Sequence, residues 1–345
     1  MALDKFSLIN NRLISGVMAL CLLILAAGAS NAADKPKPVV WRLGHTLSLP
    51  GSLLETVTTK EVPQRIAKAS RGLIKVQPLI GVIKPDDVLT ALQQGRIQAG
   101  TLTLTYAAAT HPLWGVSALP GLLEYDQVDA FSNKIMFPIL KQDFAKWNAQ
   151  PVLVGGYMGH TYYSNVLIDN VEDFKGVQFR TDSPTMTQMI TALGGSAVGM
   201  TFPELYPALE RRLVDAYTTM RASMFYAGLG KVTKYAQNWP SATPLYSMMV
   251  SDAALAKLPA DVRKAVLAEF VAIQQDFGKR LYAEMLDLNK KVQAQGLKFV
   301  EVPEAERQRA LKIAQEHVWK PWLERTGKTG QELVERTQKE FGKKN

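Results

Sequence analysis

The sequence predicts an α/β protein in two lobes, and three observations carry that expectation. Strand and helix patterns alternate along most of the 345 residues. The length is that of two ordinary domains. A helix-turn-strand pattern also occurs twice, Ala91 to Ala99 matching Ala208 to Ala216. Such an echo suggests two similar α/β lobes facing each other.

The first residues stand apart from this rhythm. Lys5 and Arg12 make a basic lead, LISGVMALCLLILAAGAS is an apolar run, and Ser30-Asn31-Ala32 fits a small-x-small cleavage site. This reads as a secretory signal peptide over residues 1–32. The strongly apolar segment is short for a bilayer span, and Leu20 before Cys21 does not suit a lipoprotein site. Cleavage removes Cys21, the only cysteine, so the exported product has no disulfide, thiol nucleophile or cysteine metal ligand. It also removes Asp4, Lys5 and Arg12, which lowers the formal charge of +9 by one. A basic surface favours anionic solutes or membrane surfaces. No basic stripe interleaved with aromatics points to nucleic acid, and no second apolar segment predicts stable membrane insertion.

After the Pro-rich KPKP, VVWRLGH reads as a strand ending at His45. Glu55 to Ala69 follows as an amphipathic helix, Leu73 to Gln77 as a strand, and DDVLTALQQG as a helix stopped near Gly95. The rhythm resumes with a strand at Val177 to Phe179. Asp182 or Ser183 can cap the next helix, with Pro184 in its first turn and Gly194-Gly195 at its end. Val198 to Phe202 reads as extended again. Thr201 and Glu204 have capping-box spacing, and Pro207 predicts a bend, a short first turn or a later start. From Asp261 to Gly296, apolar residues recur every three or four positions from Val262 to Val292, a stripe about 45 Å long. LKFVEV is the last strand. A helix from Pro303 or Glu304 is expected to break at Pro321, with Gly327 and Gly330 marking a turn before a charged terminal helix.

Four histidines, His45, His111, His160 and His317, form no short metal-ligand pattern. There is no GxSxG elbow, Walker loop or GxGxxG fingerprint. Asp86, Asp87, Glu204 and Asp215 could be general acids only if the fold brought them together, and their plainer reading is as helix caps or solvated charges. The pattern therefore predicts neither a cofactor nor a metal and favours no enzyme class. Arg180 is the exception to this blandness. An arginine at a strand exit beside a helix start suits a carboxylate ligand, because its planar fork donates two charge-assisted hydrogen bonds. It equally suits neutralisation of a nearby aspartate or a helix C-terminus.

The stretch DFKGVQFRTDSP, then ALGGSAVGMTFPELYPALERRLVDA, resembles the D-L-K-G-x-K-I-R, A-L-G-A-x-P-V-x-M and F-x-E-V-Y-x-A-L-Q-x-G-x-V-D-G succession of the DctP family. These are the periplasmic solute receptors of TRAP transporters. VLTALQQGRIQAG and SALPGLLEY extend the resemblance over most of the mature chain. It implies a two-lobed periplasmic binding protein with mixed sheets flanked by helices and a long bracing helix over 261–295. The implied lobes are 38–157 with about 245–283, and 158–244 with about 284–345. Its implied role is capture of a small organic carboxylate for small and large inner-membrane subunits, without catalysis. A receptor for an ABC transporter or signalling system, or an exported lyase or hydrolase, is the alternative.

By the same resemblance Arg180 takes the carboxylate, Phe202 closes over the solute, and Ser183 stands where some relatives place a polar contact. Where the family often reads V-D-G-Q-E-N-P, this chain places Tyr217 and Thr219, the latter at the usual asparagine. His160 falls near a second arginine of some relatives. Tyr162 is a further pocket donor, and Tyr106 a candidate for the opposite wall.

Overall fold

Two sheets organise the chain in a computed structural model. It describes residues 38–342 except 47, 48, 157, 158, 201 and 295 and the side chain of Pro203. The expected signal segment 1–32 and the cap at Thr201 lie outside the described residues. Four strands come first: β1 (Val39–His45), β2 (Ile74–Ile80), β3 (Ala99–Thr103) and β4 (Ala149–Gly156). A second set follows as β5 (His160–Ser164), β6 (Gln178–Thr181), β7 (Ser196–Gly199), β8 (Ala216–Met220) and β9 (Tyr235–Gln237). Then β10 (Leu245–Ser251) returns to the first set, and β11 (Lys298–Val300) joins the second.

The first sheet has the order β2-β1-β3-β10-β4 and the second β11-β9-β5-β8-β6-β7. Both are mixed. β1 runs parallel to β3, whereas β10 is antiparallel to β3 and β4. In the same way β6 runs parallel to β8, whereas β5 is antiparallel to β8 and β9. Every residue of β3, β5, β8 and β10 is buried, as strands covered on both faces must be.

Helices complete the units: α1 (53–69), α2 (Val88–Gln93), α3 (128–144), α4 (Pro184–Ala192), α5 (Phe202–Glu210), α6 (Arg221–Tyr226), α7 (Ala260–Ala294), α8 (Glu304–Ala314) and α9 (Lys320–Phe341). The segment expected to stay extended to Phe202 instead ends its strand at Gly199, and α5 begins at Phe202 with Pro207 inside it.

Pro321 does not break the chain's last helical run, which kinks instead at Gly327, at φ 60° and ψ −147°, where the sequence predicts a turn. A wide turn with i→i+5 bonding spans Gln315–Trp319, where the Lys320 N–H reaches Gln315 O. Two more such turns, Val57–Glu61 and Ser132–Met136, end two residues before Pro63 and Pro138. A helical proline lacks a donor and crowds the carbonyl four residues back. The extra residue in each wide turn gives that carbonyl room, so the helical course continues.

The 35 residues of α7 extend about 52 Å. Its first half, including Phe270, Ile273 and Phe277, packs with Trp41, Val152 and Met248 of the first sheet. Near its far end, Val292 packs with Tyr163 and Tyr217 of the second. Gln274 fixes this helix to the edge strand β4. Its Oε1 accepts from Val154 N at 2.6 Å, and its Nε2 donates to Val154 O at 2.8 Å. A Cβ on Gly155 would come within 2.7 Å of the Phe277 ring, so the close approach of helix and strand requires glycine there. Beyond α7, Trp319 Nε1 donates to Pro120 O and Trp322 Nε1 to Pro112 O, which carries the last helix back onto the 112–120 segment.

Candidate functional site

Arg180 owes its position to the strand and turn around it. β6 is held between β7 and β8, with Arg180 opposite Val198 and Tyr217. The chain then leaves the sheet at Asp182, and Ser183 Oγ accepts the Met186 N–H to start α4 with Pro184 in its first turn. The arginine is therefore at the strand exit, and it is only 3% exposed.

Its guanidinium donates from Nε to Met200 O at 3.1 Å and from Nη1 to Thr218 O at 3.4 Å. Five N–H groups are available on this fork, so the two carbonyls leave donors over among the described residues. Asp182 Oδ2 stands 4.0 Å from Arg180 Nη1 and 3.6 Å from His160 Nε2. Burial pushes the Arg180 pKa down, while Asp182, Tyr106 and Glu204 pull it back up. Burial likewise lowers the His160 pKa, with Asp182 opposing and Arg180 reinforcing. A low pKa favours the neutral imidazole. Its Nδ1 is buried with no hydrogen-bond partner among the described residues, as are Asp182 Oδ1 and Thr218 Oγ1.

The other residues singled out in the sequence divide into two groups. Thr219 is buried on β8 opposite Thr161 of β5, at the strand end that also carries His160 and Thr218. Tyr106 lies in the turn after β3 and is 44% exposed. Burial, then Asp182, raises its phenol pKa while Arg180 lowers it, so it lies within electrostatic reach of both. Phe202 opens α5 and packs, half-buried, against the cores of both sheets. Tyr162 and Tyr217 are placed in packed core. Tyr162 donates to Pro240 O and meets Phe174 and Phe179 edge-on. Tyr217 stacks on Tyr163 at 5.2 Å, and its hydroxyl bonds Thr233. The hydroxyl of Ser183 is occupied as the helix cap.

Among the described residues no group of three or more His, Cys, Asp or Glu is arranged to hold a metal ion. No helix among them is long and apolar enough to cross a membrane. Residues 45–325 match the family model of the bacterial extracellular solute-binding proteins, family 7, also termed DctP. The chain belongs to this family. A solute-binding protein of Roseobacter denitrificans is 22% identical over 311 residues, covering 88% of this chain and 94% of the relative. Among solved structures, the fold is shared with a Bordetella pertussis extracytoplasmic solute receptor binding pyroglutamic acid. That likeness has a TM-score of 0.78 at 20% identity and covers 87% of this chain and 99% of the receptor. A TRAP periplasmic solute-binding protein from Desulfovibrio salexigens with bound orotic acid gives a TM-score of 0.75 at 19% identity, covering 88% and 98%.

Two side chains of this family 7 receptor escaped the sequence reading. The sequence names Asp182 as a helix cap and allows an unspecified aspartate beside Arg180, and the spacing of two between them is the spacing that returns a strand to the same face. Arg221, one residue past β8, lies over the Tyr125 ring at 4.8 Å, with Nε and Nη1 buried and without a hydrogen-bond partner among the described residues. Tyr125 in turn donates to the His160 carbonyl at 3.1 Å. A cavity beside Arg221 is lined by Leu49, Leu54, Leu281, Glu284 and Met285. Its lining does not include Arg180 or Asp182.

Proposed function

We propose that the protein captures a small organic carboxylate in the periplasm and delivers it to a TRAP-type secondary transporter, releasing it chemically unaltered. The observation that carries this reading is the buried Arg180 guanidinium with donors to spare. A desolvated cation with free N–H groups attracts a carboxylate far more strongly than a solvated one. Thr219, His160 and the Thr218 hydroxyl lie at the same end of the second sheet and select the rest of the solute. Tyr106 approaches from the first sheet and Phe202 shields one side from water.

Two lobes, 38–157 with about 245–283 and 158–244 with about 284–345, would close on the solute. The last helix reaches back to the first. Closure stabilised by solute contacts gives the membrane subunits a distinct state to recognise. Small acids in the relatives, pyroglutamic and orotic, support the ligand class. The basic balance that remains after cleavage, one below the formal charge of +9 of the whole sequence, assists encounter with an anion.

Calorimetry with a panel of organic acids tests the reading. Arg180→Ala is expected to weaken binding by about 2–5 kcal/mol, and Arg180→Lys to restore little, since an ammonium lacks the planar fork. Unchanged affinity in a folded Arg180→Ala protein would overturn the assignment, as would conversion of a bound acid into product.

A further inference from the structure

Arg180 has a carboxylate as its neighbour, and that neighbour is itself incompletely satisfied. Asp182 Oδ1 is buried and accepts no hydrogen bond from the described residues. Oδ2 reaches His160 Nε2 only at 3.6 Å and Arg180 Nη1 only at 4.0 Å, both beyond ordinary hydrogen-bond length. Buried carboxylate oxygens normally find donors. Burial works against a second positive charge on His160. Arg180 and Asp182 therefore present opposite charges side by side, each with hydrogen-bonding capacity left over.

This pairing discriminates among acids. A plain carboxylate drawn to Arg180 brings a second negative charge toward Asp182, and a dicarboxylate adds a third. An acid bearing an N–H or O–H beside its carboxylate meets both neighbours, the anion on the guanidinium and the donor on Asp182. We infer that the solute carries such a donor within one or two bonds of its carboxylate, and that Asp182 is the residue that selects it. The class comprises lactam acids, 2-hydroxy acids and amino acids. The inference rests on Arg180 being the carboxylate site.

The test is calorimetry on the full mature protein with matched solutes: pyroglutamate against cyclopentanecarboxylate and glutarate, and lactate and alanine against propionate. In at least one set the donor-bearing acid is expected to bind tenfold or more tightly than its donor-free partner. The sets also separate a neutral donor from an ammonium. Asp182→Ala should shrink that preference below threefold, and Asp182→Asn should improve binding of glutarate by removing the charge. Equal binding of donor-bearing and donor-free acids by the natural protein overturns the inference while leaving the carboxylate reading intact. An unchanged preference in Asp182→Ala does the same. Failure of every acid to bind removes both. Should Asp182→Ala lose its circular-dichroism signature, the solute comparison on the natural protein decides alone.

Discussion

His45 ends β1 with its ring wholly buried and Nδ1 3.3 Å from Thr101 Oγ1. Burial pulls its pKa from 6.5 to about 4. The unfolded chain then takes up a proton at a pH where the folded one does not. The stability held by this neutral ring is complete above 6.5 and is lost as pH falls toward 4, about 3 kcal/mol in all. His160 is shifted in the same direction. Urea unfolding between pH 7.5 and 4.5 should show this decline, and His45→Gln should flatten it. A decline of the same slope in the variant would refute the attribution. At this scale the sequence was legible where the chemistry is local. Ser183 and Pro184 announce a helix start because cap and ring act on their own backbone. Asp182 was not legible as a partner of the site, since its role depends on burial that no spacing reports.

The echo between residues 91–99 and 208–216 is a repeated element. In both places α-helix gives way to strand through the same bonds. Arg96 N reaches Ala91 O at 2.9 Å, and Leu213 N reaches Ala208 O at 2.8 Å. The turning residues are Gly95 at φ 68° and Arg212 at φ 58°. Only glycine takes that left-handed conformation freely. The family pattern carries glycine where Arg212 stands. Arg212→Gly should therefore raise stability by about 1 kcal/mol, and Gly95→Ala should lower it by about as much. Thermal and denaturant unfolding would measure both, and a destabilised Arg212→Gly protein would contradict the argument. Helix limits near glycine were readable in the sequence because the backbone constraint lies within the residue. Pro321 misled, because the wide turn that accommodates it, like those before Pro63 and Pro138, leaves no mark in composition.

Strand order is the part of the whole molecule that local patterns conceal. Alternation identifies a strand, but pairing of β3 with β10, Ala99 with Val250, joins residues far apart in the chain. The stripe on α7 was legible, and its contacts with both cores follow from its length. The placing of β10 between β3 and β4 has a measurable result. A fragment of residues 38–244 contains four strands of the first sheet but lacks the one that joins β3 to β4. It should aggregate and unfold without a cooperative transition, and a sharp transition close to that of the full chain would disprove this. The same arrangement sets an assembly schedule. The keystone strand is made late, so the earlier segments wait with raw edges until Ser251 has followed them. Completion of the first sheet is thereby tied to passage of the chain through the second.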